Sequence, residues 1–243
     1  CDLIVLAVKG YATAAATRRS ILRVGSETPL LTIQTGLGNI ETIAELIDKR
    51  NVLGGVTFHG AIALDGSEVQ HAGIGPTLIG ELDGRRTKRM DLIREAFVAG
   101  RLQVEVSDNI LGHIWAKTLI YSAINPLTAI LKLKNGQLVE KMESITLAKR
   151  LIDEGKLVAQ AYAIQLPQQD LYDWLLEVCA RTAENLSPML QDIINDRPTE
   201  IDALNGAIYT KGKHRGIATP LHQTMTDLIR LLEKWSGSSD FGR

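Results

Sequence analysis

The sequence predicts an α/β domain built on a mostly parallel sheet, followed by an all-helical domain. Three observations carry that prediction. Short apolar runs alternate with helical periodicity through the first hundred residues. Turn residues punctuate each change of period. From Ser107 onward the strand signals stop, and only helical patterns follow.

Taken in order, Leu3–Val8 reads as a buried strand and Tyr11–Val24 as the helix that returns from it. Pro29–Gln34 is a second strand, and Ile40–Ile47 is a helix entered through Gly36-Leu-Gly38-Asn39. Val52–His59 reads as a third strand. Asp65-Gly66 then predicts a hairpin turn, with Gly75–Leu82 closing the hairpin. Arg89–Ala99 is helical, and Leu102–Val106 is a last strand at an antiparallel edge. In the second half, Asn109–Lys132 is a long helix in which Pro126 is expected to kink or break the backbone. Met142–Ala163 and Asp170–Glu184 are amphipathic helices. Pro198 suits the first position of a helix running towards Lys211, and Thr219–Trp235 is the last helix before a frayed tail, Ser236–Arg243. The expected domains are therefore residues 1–106 and 107–243, with no internal repeat between them.

Composition narrows the function. The 243 residues are 45% apolar and 23% charged, with net charge −1 and a pI near 6.6. Such a chain has no basic block for nucleic acid or an anionic membrane surface. No apolar run reaches the ~20 residues of a membrane helix. Cys1 and Cys179 offer neither a disulfide framework nor metal-ligand spacing, which points to a reducing compartment, most simply the cytoplasm. The chain opens at Cys1 without an initiator Met. Leu3–Val8 followed by Ala12–Ala16 has the outline of a signal peptide, but Asp2, Lys9 and the short apolar core favour strand, turn and helix. The sequence therefore reads as beginning within a domain.

Two stretches place polar groups where they need partners. In Ile114–Ile130, Lys117, Tyr121 and Asn125 recur every four residues along one helical stripe, and His113 extends it by a turn. The neighbours Ile114, Trp115, Leu119, Ile120, Ala123 and Ile124 are apolar enough to bury the helix on several sides. A lysine desolvated there has a lowered pKa and suits general acid catalysis. The plainer readings are that Lys117 snorkels to the surface, Asn125 ends the helix before Pro126, and His113 is a packing histidine. Glu200 sits in the first turn of a helix, where the macrodipole also favours a carboxylate. Asn185 and Asn205 have capping explanations, and Asn135-Gly136 reads as a turn.

Gly36-Leu-Gly38-Asn-Ile-Glu41 follows a strand and opens a helix, but Glu41 occupies the third glycine position of a dinucleotide fingerprint. No acidic residue ends the next strand, Val56–His59, where a ribose partner would stand. The loop is instead a backbone surface at the carboxyl ends of the strands, an edge that Lys9 shares.

These residues resemble the ketopantoate reductase (2-dehydropantoate 2-reductase) family from residue 2 to about Glu233. The resemblance rests on Trp115-x-Lys117 with Asn125-Pro-Leu-Thr-Ala, on Asn135-Gly136, on Ser187-x-Met-Leu-Gln-Asp, and on Thr199-Glu200-Ile-Asp-x-Leu-Asn-Gly206. It implies a Rossmann-type N-terminal domain, a helical C-terminal domain, and reduction of a 2-keto acid by NADPH. That substrate would most simply be 2-dehydropantoate, in pantothenate biosynthesis. By the same resemblance Lys117 is the catalytic lysine that donates a proton to the carbonyl oxygen. Asn125, Asn135 and Asn185 join Lys117 and Tyr121 on the substrate side, and Glu200 lies beside substrate and cofactor. Lys9, Thr35, Gly36 and Ala61 fall near the nicotinamide half of NADP. No metal is implied, and a homodimer is the candidate assembly.

Three residues depart from the family pattern. Thr35 and Tyr121 each stand where members carry an asparagine, and Pro188 stands where a serine hydroxyl would help hold the substrate. A site built around such groups discriminates strongly by them, so another 2-keto acid is the rival substrate. The family's Gly-rich phosphate loop, with its first strand, turn and helix, is also expected upstream of Cys1. On that reading the chain is a fragment with weakened NADPH binding. A non-catalytic binding protein that lost the loop is the rival of a different class.

Overall fold

A computed structural model describes residues 1–22, 25, 27–63 and 68–236. It divides into two compact units, Cys1–Ile114 and Trp115–Arg243, which part inside one long helix.

The first unit is a five-stranded sheet carrying three helices. Strands β1 (Ile4–Leu6), β2 (Leu30–Thr32) and β3 (Val52–Thr57) are parallel and adjacent in that order. Helix α1 (Thr13–Ile21) links the first pair and α2 (Asn39–Ala44) the second, the crossovers that a parallel sheet requires. Leu31, Leu53 and Ile79 are fully buried with Met90 and Ile93 of α3 (Lys88–Ala99) behind them. The predicted strands are present but shorter, because the flanking residues turn out of the ladder to build the loops. The expected helix Tyr11–Val24 starts with a separate 3-10 turn, Gly10–Ala12, and Val24 lies outside the described residues.

The connection between the third strand and its antiparallel partner holds an extra strand pair that was not expected. Strands β4 (Gly60–Ala63) and β5 (Val69–Gly73) pair with each other as a separate two-stranded sheet, with an irregularity at Gly60/Ala61. The expected turn at Asp65-Gly66 lies outside the described residues. Strand β6 (Thr77–Glu81) returns against β3 as expected, with the β4–β5 pair inserted between the two. It runs antiparallel to β3 in the main sheet, and β7 (Val104–Val106) pairs parallel to it at the edge. The antiparallel step is therefore one strand inside the edge. Gly54-Gly55 of β3 admit close neighbours: a Cβ on Gly54 would lie 3.2 Å from Ile110 Cγ1, and one on Gly55 2.9 Å from Ile33 Cγ2. His59 Nδ1 and His71 Nε2, 2.9 Å apart, connect the end of β3 to β5.

The second unit is all helical. Helix α4 (Ile110–Leu131) is continuous through Pro126, so of the expected kink or break the break does not occur. It is followed by α5 (Met142–Ala161), α6 (Leu171–Arg181), α7 (Pro188–Ile194), α8 (Ala207–His214) and α9 (Pro220–Ser236). Buried Ala148, Leu151, Ile152, Gly155, Val158 and Ala159 form the 3–4 spaced stripe that α5 presents to the core. Cys179 of α6 is fully buried, and burial pushes its thiol pKa up to about 12. Helix α7 is too short for a periodic signal. Its start is nonetheless written as Ser187-Pro188: the Ser187 hydroxyl accepts from Leu190 N at 3.2 Å, and proline takes the first helical position.

Pro198, expected to open a helix, lies ahead of one. The chain instead enters a π-helical turn, Asp202–Gly206, before α8 begins. Gly206 N donates to Ile201 O at 3.0 Å across the wider turn. Glu154 of α5 caps α9, accepting from Leu221 N at 3.1 Å and His222 N at 3.3 Å.

Helices α4 and α5 cross at Gly155, where an added Cβ would collide with Leu119 Cδ2. Leu119 is fully buried, so any shift of its side chain must displace other packed groups. Gly155→Ala is therefore expected to cost about 1–3 kcal/mol by overpacking. Denaturant midpoints measure this, and an unchanged midpoint would show that the crossing yields.

Candidate active site

In the second unit the candidate residues of α4 lie where their spacing places them. Lys117 is 7% exposed, and burial lowers its amine pKa to about 8, with the negative charge of Glu200 opposing part of that fall. Its Nζ lies 5.2 Å from the centroid of the Tyr121 ring, one turn on. Burial raises the Tyr121 phenol pKa, so the ring remains neutral beside the amine. Glu200, half-buried, comes from the segment just ahead of the π turn, and its carbonyl accepts from Ala203 N and Leu204 N at 3.1 Å. Lysine, tyrosine and glutamate thus come from two elements that are far apart in sequence.

Asn125 is 4% exposed, and its buried Oδ1 has no protein partner. Such an atom costs free energy unless something else satisfies it. Asn135 is buried too. Its Nδ2 donates to Thr182 Oγ1 at 2.9 Å, while its Oδ1 lacks a partner. It stands in a turn, as expected, and leads into a 3-10 turn, Gly136–Val139. Asn185 is exposed and does not cap α7; its carbonyl accepts from Asn135 N at 3.0 Å. Pro188 is exposed, and the neighbouring Ser187 hydroxyl lies 2.7 Å from Thr128 Oγ1 of α4.

Sequence reasoning missed three members of this neighbourhood: Ser122, His222 and the inward role of Asn205. Proline at 126 has no N–H for the carbonyl four residues back. Asn205 Nδ2 supplies the missing donor, reaching Ser122 O at 2.9 Å. Asn205 is therefore not a cap. Its Nδ2 is also 3.2 Å from His222 Nδ1, and His222 Nε2 is 2.9 Å from Leu151 O. A carbonyl partner requires Nε2 to carry the proton, so Nδ1 accepts from the amide. Burial drives the His222 pKa down to about 4, keeping the ring neutral. A proline inside an apolar helix, with a downstream Asn-Gly, was the available signal.

In the first unit, β1, β2 and β3 are parallel, so their carboxyl ends share one edge, where open α/β sheets bind ligands. The turn after β2 holds Thr35, half-buried, then Gly36 and Gly38 at φ 96° and 93°. A side chain at either glycine would be strained, and the space over Gly38 is open. A buried network fixes this turn. Gln34 Nε2 donates to Val8 O and Thr13 Oγ1, both at 2.8 Å. Thr13 Oγ1 is 2.9 Å from Asn39 Oδ1, and Asn39 Nδ2 donates to Thr35 O at 3.2 Å. Lys9 is half-buried beyond β1, and Ala61 is exposed beside the irregularity in β4. Gln34, Thr13 and Asn39 escaped the sequence reading because nothing local marks them. A bare-backbone turn with a cation on the same edge fits one end of a dinucleotide. His113, half-buried on the first turn of α4, has an Nδ1 without a partner and a pKa lowered by burial.

A mixed sheet with helical crossovers, followed by a helical unit with a buried amine, defines a two-part α/β class of protein. The chain belongs to the ketopantoate reductase family. Residues 1–84 match Ketopantoate reductase PanE/ApbA, and residues 109–233 match its C-terminal part. The 2-dehydropantoate 2-reductase of Halobacterium salinarum is 35% identical over 96% of this chain and 76% of its own. That of Vibrio cholerae is 36% identical over 97% and 79%. A solved structure of D-mandelate dehydrogenase with NADH and anilino(oxo)acetate superposes with TM-score 0.91 at 25% identity, covering 98% of this chain and 78% of that one.

Proposed function

We propose that the protein reduces a 2-keto acid, 2-dehydropantoate first among the candidates, with NADPH, and serves pantothenate biosynthesis. The observation that carries this reading is the buried Lys117, whose amine pKa near 8 suits proton donation at neutral pH. The nicotinamide, when bound, supplies a hydride to the keto carbon. Lys117 gives its proton to the carbonyl oxygen, and Glu200 keeps the amine charged until it does so. Asn125, whose Oδ1 is unpartnered, and Asn135 orient the substrate, with Tyr121 and Asn185 on the same side. Lys9, the Thr35–Gly36 turn and Ala61 hold the nicotinamide end, which assigns the first unit to the cofactor and the second to the substrate.

Tyr121 favours a second reading within the same chemistry. A tyrosine where the family carries an asparagine replaces an amide with a hydroxyl on an aromatic ring, which narrows the pocket and adds apolar surface to it. D-mandelate dehydrogenase, whose structure holds NADH and anilino(oxo)acetate, is among the similar folds. Oxidation of NADPH and of NADH by the purified protein, with 2-dehydropantoate and with aromatic and aliphatic 2-keto acids, tests both. Turnover of 2-dehydropantoate with NADPH is expected. A strong preference for an aromatic acid establishes the second reading, and cofactor binding without turnover of any keto acid overturns both.

A further inference from the structure

We infer that Asn205 is a positioning residue for the reaction: by donating to the Ser122 carbonyl that Pro126 leaves open, it fixes the Lys117 helix against the Glu200 turn. This rests on the proposed function for its catalytic consequence, though not for its geometry.

Pro126 leaves a gap in the backbone hydrogen bonds of α4. Ser122 is fully buried, and its carbonyl faces an imino nitrogen at position 126. Left alone, that carbonyl would be a buried unpaired acceptor in the middle of the helix that bears Lys117 and Asn125. Helices with such a gap kink or recruit a side chain. This one recruits Asn205, also fully buried, at 2.9 Å.

The donor's own placement is equally particular. In an α-helical register Asn205 would lie about 140° around the axis from Glu200. The π turn, closed by Gly206 N to Ile201 O, brings the two towards one face. Wider turns of this kind recur at functional sites. His222 completes the arrangement. As a neutral ring held by Leu151 O, it accepts the second amide proton and orients the amide so that nitrogen, not oxygen, meets Ser122. The separation of Lys117 from Glu200 is thus set through an amide that touches neither reacting group.

The test is a cycle between Asn205 and Pro126. Asn205→Leu is expected to lower kcat at least tenfold with KM changed less than threefold. It should also move the pH midpoint of Lys117 labelling by an amine-selective reagent, which requires neither substrate nor cofactor. Pro126→Ala restores an N–H to Ser122, so in that background Asn205→Leu is expected to cost less than threefold and to leave the midpoint in place. Should Asn205→Leu fail to fold, Asn205→Asp keeps the shape, loses the donor and takes its place. An unchanged kcat and midpoint in the single variant overturn the inference, as does a full loss in the Pro126→Ala background. If no keto acid is turned over at all, the proposed function fails while the labelling midpoint still decides the role of Asn205.

Discussion

Lys117→Ala is expected to lower kcat by about 10²–10⁴-fold, the range that a positioned general acid supplies. In the native protein, turnover should fall as pH rises through about 8, where the amine loses its proton. The same lysine is a burden on the fold. Its pKa drops from 10.5 unfolded to about 8 folded, so at pH 7 the folded state bears the cost of burying the cation, about 3 kcal/mol. Because the folded pKa is the lower one, stability rises with pH between those values. Lys117→Met, close in shape and uncharged, is therefore expected to raise the unfolding free energy at pH 7 by up to about 3 kcal/mol while abolishing turnover. Paired kcat and denaturant measurements check this. A methionine variant that is both inactive and less stable would show that the charge is compensated locally.

Acid should attack the molecule at His222. The ring is neutral when folded down to about pH 4, whereas the unfolded side chain takes a proton near 6.5. Its contribution is complete above 6.5 and lost progressively as pH falls to about 4, a loss of about 3 kcal/mol from this residue. Protonation also sets an N–H at Nδ1 against the Asn205 amide, which has no acceptor to offer there. The measurement is the unfolding free energy against pH, alongside an NMR titration of the His222 ring. A ring that titrates near 6.5 in the folded protein would remove the effect.

Much of this was legible in the residues, for reasons that differ along the chain. Lys117, Tyr121 and Asn125 are four apart in an apolar helix, so burial and their common stripe follow from periodicity alone. Strands β1 to β3 were visible as apolar runs bounded by glycine and polar residues. Strand β5, Val69-Gln-His-Ala-Gly73, was not, since exposure on both sides leaves it without alternation. Helix α7 was too short to show a period. The π turn was invisible because a single register shift leaves no compositional trace. Pro126 misled for an instructive reason: a proline's local cost predicts a break only where no distant donor repairs it, and Asn205 is 79 residues away by its number in the chain.

Cys179 gives the second unit an internal clock. Its thiol is fully buried, and its pKa of about 12 leaves almost no thiolate at neutral pH. Alkylating reagents can reach it only through opening of the packing around α6, so its modification rate reports the frequency of that opening. The exposed Cys1 reacts first and calibrates the reagent within the same molecule. Resistance to oxidation at this position thus becomes a gauge of how often the helical unit breathes, read from mass alone.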